Sequence, residues 1–272
     1  MKIKRVVFCL NNSPLYSGMW DIVSKVYTEK TDYIPTLIFV GTQKELEAEV
    51  KTSFGEVYRL DKHEEFVVRP ELDWTVPWSL HWAIANMFPN DICLFTGIDE
   101  IPCNYILDGL IKDVDENKYI FMLGANPYRR PTDKKLLVAN GWSIAKGSVL
   151  KQVLGIKDNL KEELNRLWTT KHIYAAKIPD NHHALIAQNW WGIDEAYIST
   201  VVYDNPNVLF FNQESADQLF SHRKICRAQG CVYDREKLKN GYYWEVHMPR
   251  PLSDPKNKKI VENILTDLGI DL

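Results

Sequence analysis

The sequence predicts an α/β fold, a three-layer sandwich in which helices cover both faces of a central, mostly parallel sheet, followed by a C-terminal extension. Up to residue 95, short apolar runs alternate with segments of helical periodicity. The runs 6–10 and 92–95 are apolar throughout, which is typical of strands buried on both faces. The composition of the 272 residues, 45% hydrophobic and 25% charged, is that of an ordinary globular protein.

Strands are predicted where short apolar runs lie between turn signals, and a hairpin where two such runs flank Asn140-Gly141. The predicted strands are residues 5–10, 33–40, 56–60, 92–95, 118–123 and 208–211, and the hairpin pairs 136–139 with 142–145. Helices are predicted where apolar residues recur at helical spacing. The predicted helices are residues 19–28, 43–52, 74–88, 105–111, 148–154, 160–168, 195–201 and 256–268.

Two larger features follow from the same patterns. Residues 1–214 are predicted to form one domain, and residues 215–272 an extension that packs on it, because the periodic pattern weakens after residue 214. Trp74, Trp78 and Trp82 recur at helical spacing, which favours packing in the core over a platform for a ligand.

The composition argues against several classes of protein. A net charge of -3 gives no general reason to expect nucleic acid or an anionic membrane as a partner. We expect no membrane span and no signal peptide, and therefore a cytoplasmic location, because no sufficiently long apolar run occurs. The five cysteines include no Cys-x-x-Cys pair, so neither a disulfide framework nor a zinc site is predicted. The glycine patterns of dinucleotide-binding and P-loop proteins are also absent.

The predicted strand 92–95 is followed closely by two acidic residues, Asp99 and Glu100. Ligands of open α/β sheets bind at the carboxyl ends of the strands, which is where this pair is expected. Carboxylates suit a hard cation such as Mg2+ or Mn2+, and such a cation suits a phosphate. The same pair also suits an ordinary acidic turn before the next helix, since acidic residues are favoured at helix starts.

Three motifs in order resemble those of the GT-A glycosyltransferases, over roughly residues 3–212. Leu94-Phe-Thr-Gly-Ile-Asp-Glu-Ile-Pro102 is similar to the metal-binding Asp-x-Asp element of that family. Asn140-Gly-Trp-Ser-Ile-Ala-Lys146 resembles a segment that borders donor and acceptor, and Trp190-Trp-Gly-Ile-Asp-Glu-Ala-Tyr-Ile198 a downstream acidic motif. The resemblance implies a GT-A-like (Rossmann-like) fold. It also implies transfer of a sugar from a nucleotide-diphosphate sugar to an acceptor hydroxyl, with Mn2+ or Mg2+ as cofactor.

The sequence departs from this family at one position, because Gly97 stands where the first Asp of Asp-x-Asp would fall. The resemblance then leaves three alternatives: a metal held by Asp99 with help from elsewhere, a metal-independent enzyme, or an inactive relative. The family pairs its last Asp with a C-terminal His, for which His247 is the best match and His222 the second. A single His in such a segment also suits a plain surface position.

The resemblance further implies roles in donor binding and catalysis. The turn after the first strand, together with Arg69 and Asp73, is expected to contact the nucleoside. Asp194 or Glu195 is expected to accept the proton of the acceptor hydroxyl, although this pair also suits a plain helix N-terminus. The residues expected to bind the nucleotide sugar are Asn11, Asn12, Ser13, Arg69, Asp73, Ile98, Asp99, Arg129, Arg130, Gly141, Trp142 and Trp191.

Several alternatives remain open from the sequence. Loss of an Asp at position 97 favours a catalytically degenerate protein that binds a nucleotide sugar or a glycan. A nucleotidyltransferase would share the sheet topology, but the turn after the first strand has no Lys or Arg. A transferase acting on modified DNA bases would use the basic clusters 129–135 and 222–227. The acceptor is left open among a glycan, a lipid-linked sugar, a protein and a modified nucleic acid.

Overall fold

The computed structural model describes residues 1–51, 54–68, 70, 73–103, 107–121, 143–175, 193–202, 204–210, 234–241, 243 and 245–271. The strands are β1 (Arg5–Leu10), β2 (Ile34–Val40), β3 (Glu56–Leu60), β4 (Ile92–Phe95), β5 (Glu100–Pro102), β6 (Tyr119–Phe121), β7 (Ser143–Lys146), β8 (Val208–Phe210) and β9 (Glu245–His247). The helices are α1 (Met19–Lys30), α2 (Gln43–Glu49), α3 (Thr75–Met87), α4 (Leu107–Ile111), α5 (Gly147–Leu154), α6 (Leu160–Ala175), α7 (Ile193–Val201), α8 (Arg235–Lys239) and α9 (Pro255–Asp267).

Seven of these strands form one sheet in the order β3-β2-β1-β4-β7-β6-β8. The central strand β4 is parallel to β1 and antiparallel to β7. The pairs β1–β2, β2–β3 and β6–β8 are parallel, and β7 runs antiparallel to β6 as well. The predictions of an α/β fold with a mostly parallel sheet, and of an interior strand at 92–95, are confirmed.

The sheet is covered on both faces, as the continuous apolar runs predict. Along β1, Val6 and Phe8 belong to a core shared with α1 and α9, whereas Val7 belongs to a core shared with α3, α5, α6 and α7. Trp74 and Trp78 are buried in the second core, which confirms core packing for that part of the aromatic stripe. Within the described residues, no helix combines the length and the apolar character needed to cross a membrane.

A charged cluster joins the amino ends of three strands of the sheet. The Arg5 side chain contacts Glu56 and Asp91, each at 2.6 Å, and lies over the ring of Phe88 at 4.6 Å. Lys4 adds a further ion pair to Asp91 at 2.7 Å. The carboxyl ends of the parallel strands, where a ligand is expected, are therefore left at the opposite edge of the sheet.

A second, two-stranded sheet corrects the sequence-based view of the acidic tip. The sequence leaves the acidic tip open between a metal-binding element and an acidic turn, and it places residues 244–247 in the weakly patterned extension. Instead, Glu100–Pro102 pairs antiparallel with Glu245–His247, with Glu100 opposite His247. Strands of three residues show too little periodicity for local pattern analysis, so this non-local pairing is invisible in the sequence.

Several predictions lie outside the described residues. These are the expected domain boundary at residue 214, the first strand of the hairpin around residues 140–141, and the basic clusters at 129–135 and 222–227.

Candidate metal and donor site

The acidic tip and the C-terminal strand meet beyond the carboxyl end of β4. The backbone N–H of Met248 donates to the carbonyl of Asp99 at 2.6 Å, which extends the β5–β9 pairing by one residue. As a result, Asp99, Glu100 and His247 form a buried group in which one potential ligand atom from each residue lies within 4.8 Å of the others. The structure thus brings together the two residues predicted as metal ligands, Asp99 and His247.

Glu100 is held by the end of β4 as well as by β9. Its Oε2 atom accepts hydrogen bonds from the Thr96 hydroxyl and from the backbone N–H of Gly97, the latter at 3.1 Å. Its other oxygen, Oε1, lies 3.1 Å from Nε2 of His247. Both oxygens of this carboxylate are therefore engaged by neighbouring protein groups.

The His247 imidazole lies among three carboxylates. Its Nε2 atom is 3.1 Å from Glu100 and 3.5 Å from Oε1 of Glu245, whereas Nδ1 is 3.8 Å from Oδ2 of Asp99. Burial alone would lower the pKa of His247, but the charge of Glu100 and the hydrogen-bonding carboxylates around the ring outweigh it and raise the pKa to about 12. This pocket strongly favours a positive charge.

Two properties of Asp99, Glu100 and His247 suit a divalent cation: the types of ligand atom that they offer, and one ring nitrogen that lacks a hydrogen bond. Nδ1 of His247 is buried, in a side chain that is only 6% exposed, and it has no hydrogen-bond partner among the described residues. A buried nitrogen without a partner is costly, and a metal ion would satisfy it. Carboxylate and imidazole together suit Mn2+, whereas Mg2+ prefers oxygen ligands. Asp99 and His247 are the residues that would hold the ion.

Gly97 leaves the space that Asp99 uses. A Cβ atom at position 97 would lie 2.8 Å from Oδ1 of Asp99 and 3.1 Å from Cδ of Glu100. The two carboxylates can therefore adopt this conformation because the residue at position 97 is a glycine and has no side chain.

Arg250 brings a cation to the same place, and the sequence analysis did not select it. Its Nη1 atom lies 3.5 Å from Oδ2 of Asp99. The guanidinium also lies over the Tyr16 ring at 4.7 Å and donates to the Tyr16 hydroxyl. Cation–π stacking and this hydrogen bond hold the planar group beside the acidic tip.

The turn after β1 lies at the same edge of the sheet. Asn11 and Ser13 are buried, and Oδ1 of Asn11 accepts a hydrogen bond from the Ser13 backbone N–H at 3.0 Å. The Ser13 hydroxyl oxygen is buried without a hydrogen-bond partner. Asn12 is exposed and donates to Glu45 in α2 at 2.6 Å. Of this predicted donor-binding turn, Ser13 has a polar atom that the described residues leave unsatisfied.

The two carboxylate oxygens of Asp73 have different surroundings. Its Oδ1 atom accepts hydrogen bonds from the backbone N–H and the hydroxyl of Thr75, at 2.9 and 2.7 Å, at the start of α3. Its Oδ2 atom is buried and has no hydrogen-bond partner among the residues that are described, and burial raises the pKa of the carboxyl group. Ile98, another predicted donor-binding residue, is buried in the core beside the tip.

The predicted catalytic pair lies on another element. Asp194 and Glu195 occupy the first turn of α7, where Asp194 is buried and Glu195 is half-buried. The helix packs on α6, and Tyr197 on the same helix donates to the carbonyl of Leu154 at 2.6 Å. The expected helix start is confirmed, and the catalytic role stays a prediction. The other predicted residues, which lie outside the described residues, are Arg69, Arg129, Arg130, Gly141, Trp142, Trp191 and His222.

Sequence reasoning missed two residues of this site, Glu245 and Arg250. One signal was available for Glu245, since Glu245 and His247 alternate and would share one face if the segment were a strand. Arg250 had no comparable local signal, because its place beside Asp99 depends on the non-local pairing of β5 with β9.

Comparisons with known proteins find similarity in the fold. No family model matches the chain, and no curated protein sequence matches it. A structure of the galactosyltransferase LgtC, in complex with donor and acceptor sugar analogs, superposes with a TM-score of 0.51 at 9% identity, covering 96% of this chain and 95% of LgtC. The apo structure of the bifunctional glycosyltransferase WbbM gives 0.51 at 11% identity, covering 97% of this chain and 50% of WbbM.

A third structure, the glycosyltransferase GlyE of Streptococcus pneumoniae, has a TM-score of 0.43 at 11% identity, covering 80% of this chain and 47% of GlyE. The chain therefore spans about half the length of WbbM and of GlyE. Such low identities show the fold alone. The chain has the fold of the GT-A glycosyltransferases, which confirms the fold that the motifs implied.

Proposed function

We propose that the protein is a glycosyltransferase that moves a sugar from a nucleotide-diphosphate sugar to an acceptor hydroxyl, with a divalent cation held by Asp99 and His247. The observation that carries this proposal is the buried group of Asp99, Glu100 and His247 at the carboxyl edge of a GT-A-type sheet. Its position, its charge and the unsatisfied Nδ1 of His247 suit a cation that binds a diphosphate.

The chemical problem in this reaction is the leaving group. As the bond to the sugar breaks, negative charge grows on the departing diphosphate, and the sugar gains oxocarbenium character. A bound divalent cation would stabilise that charge as a Lewis acid. Arg250 would add a fixed guanidinium beside Asp99, and the planar donor group of arginine matches phosphate oxygens.

The remaining roles follow the placement of the polar groups. Ser13 and Asp73 each have a buried oxygen that no described residue hydrogen-bonds, which supports contacts to the nucleoside or the sugar. Asp194 or Glu195, which lie in the first turn of α7, would accept the proton of the acceptor hydroxyl. Mn2+ suits the proposed ligands better than Mg2+ does, because one of these ligands is an imidazole.

A protein that binds a nucleotide sugar without transferring it is the second candidate. Gly97 favours it, since the usual first carboxylate of the metal-binding element is absent. The two candidates agree on donor binding and differ in whether the diphosphate is released.

The test is a thermal-shift screen of nucleotide-diphosphate sugars with and without Mn2+. A ligand present at about 100 times its Kd stabilises the native state by about 2.7 kcal/mol, which is easily measured as a rise in Tm. We expect a rise that needs Mn2+ in the wild-type protein and is lost in Asp99→Asn. Asp113→Asn is the control, because that side chain is 89% exposed.

The donor found in this screen is then incubated with acceptor mixtures, and release of nucleoside diphosphate is measured. Release that requires Asp99 supports the transferase, whereas binding without release supports the second candidate. If no nucleotide sugar shifts the Tm of the folded wild-type protein, both candidates are wrong.

A further inference from the structure

We propose that Glu100 and Glu245 are positioning residues that hold the Nε2–H group of His247 between them, so that Nδ1 is the atom that binds the metal. The inference rests on the proposed function, because it concerns the same cation. Glu100 and Glu245 would orient the His247 ring, which is the metal ligand.

The contacts of Glu100 show how one of its oxygens is directed at His247. Its Oε2 atom is occupied by the Thr96 hydroxyl and the Gly97 N–H, which fix the carboxylate to the end of β4. Its Oε1 atom is then aimed at Nε2 of His247, 3.1 Å away. Both oxygens of Glu100 are thus turned towards protein donors, with two hydrogen bonds at Oε2 and the His247 ring nitrogen opposite Oε1.

Glu245 provides a second carboxylate next to the His247 imidazole. It lies two residues before His247 on β9, so both side chains are on one face of the strand. Both are buried, and Oε1 of Glu245 is 3.5 Å from the same Nε2 atom. Two acceptors that face one ring nitrogen keep the proton on that nitrogen and restrict rotation of the ring.

In the neutral imidazole, which is the form that binds a metal, the other ring nitrogen is then the acceptor. Within the part of the chain that the structure describes, Nδ1 has no hydrogen-bond partner, and it faces Oδ2 of Asp99 at 3.8 Å. Metal bonds to nitrogen and oxygen of about 2.0–2.2 Å allow two ligand atoms of one ion to lie up to about 4.4 Å apart. The separation between Nδ1 of His247 and Oδ2 of Asp99 satisfies this limit. Ligating histidines in general donate their second N–H to a carboxylate or a carbonyl, as Nε2 does here.

The first experiment measures Mn2+ affinity by electron paramagnetic resonance titration of the free ion, without a nucleotide sugar. We expect Glu245→Met and Glu100→Gln to weaken binding by about 10- to 100-fold, the usual effect of losing a group that orients a ligand. Glu245→Gln keeps an acceptor oxygen and should lose less than Glu245→Met. The matched control is Glu163→Gln, which alters a buried carboxylate that contacts Trp78 and Arg166.

The second experiment makes its measurement on the wild-type protein and uses a variant only to assign the signals. In 15N-histidine-labelled wild-type protein loaded with Zn2+ as a diamagnetic probe, ring-nitrogen shifts identify the protonated atom, and His247→Gln assigns the signals. Protonated Nε2 and metal-bound Nδ1 support the proposal, and the reverse arrangement overturns it.

The two proposals fail in different ways. If the wild-type protein binds no Mn2+, the metal-dependent function is wrong, and this inference fails with it. If the wild-type protein binds Mn2+ but folded Glu245→Met and Glu100→Gln bind it equally well, only the positioning role is overturned.

Discussion

Glu100 and His247 face each other across the β5–β9 ladder, with Oε1 of Glu100 3.1 Å from Nε2 of His247. The two residues come from opposite halves of the chain, and the contact joins the end of the central strand β4 to the C-terminal segment. Because His247 is placed by backbone pairing, its ring position is defined by the ladder as well as by side-chain contacts. The following predictions test what depends on this arrangement.

Gly97→Ala should weaken Mn2+ binding by about tenfold while the protein stays folded. The added Cβ would lie 2.8 Å from Oδ1 of Asp99, the end of a side chain that can move away from its present position. Mn2+ titration and thermal unfolding measure the two effects separately. Gly109→Ala in α4 is the matched control, since a Cβ there meets nothing within 4 Å. Unchanged affinity in Gly97→Ala would mean that Asp99 need not occupy this position to bind the ion.

Asp194→Asn and Glu195→Gln test the proposed proton acceptor. Both changes preserve shape, so each variant should bind the donor with nearly wild-type affinity. If one residue is the base, turnover with an identified acceptor should fall by about 10²- to 10⁴-fold. Near-normal turnover in both variants would remove the pair from the mechanism, and the search would move to residues outside α7.

Arg250→Gln should lower kcat by about 10²- to 10³-fold, because a fixed donor would be lost where charge develops on the diphosphate. Arg250→Lys should recover part of this loss, since it keeps the charge but not the planar fork or the stacking on Tyr16. Steady-state kinetics with the identified donor measure both variants. Arg235→Gln, which removes an exposed guanidinium that pairs with Asp267, is the control and should leave kcat unchanged. Equal kcat values in Arg250→Gln and the control would contradict a role for Arg250.

Asp91→Asn should destabilise the protein by about 1.5–3 kcal/mol at pH 7, through loss of hydrogen bonds between charged groups. Burial raises the pKa of Asp91, but the bonds from Lys4 and Arg5 outweigh it, and the net pKa is lowered. A carboxyl group whose folded pKa is depressed stabilises the native state above its unfolded pKa of about 3.9 and loses this contribution as the pH falls through the folded value.

Denaturant unfolding of wild-type and Asp91→Asn protein from pH 7 down to pH 2 checks this expectation. The difference in unfolding free energy should be largest at neutral pH and should shrink below about pH 4. Asp113→Asn, at an exposed position, should show no such difference. A gap that stays constant over the whole range would show that Asp91 acts through packing and not through its charge.

Local sequence patterns are enough to predict the central part of the fold. The continuous apolar runs of β1 and β4 predict strands buried on both faces, and Val6 and Val7 indeed lie in different cores. The sequence also placed Asp99 after the end of β4, because strand and turn signals are local. His247 was selected by resemblance to a family, and its proximity to Asp99 is a property of the structure.

The assembly of the candidate site depends on contacts between distant parts of the chain. Glu245 and Arg250 approach the acidic tip because β5 pairs with β9, and two strands of three residues carry too little periodic signal to reveal their pairing. The structure also distinguishes two adjacent carboxylates: Glu100 is engaged by Thr96, Gly97 and His247, whereas Asp99 faces the unsatisfied nitrogen. Local patterns record which face of an element is apolar, but the partner of a buried polar atom depends on residues that are distant in the chain.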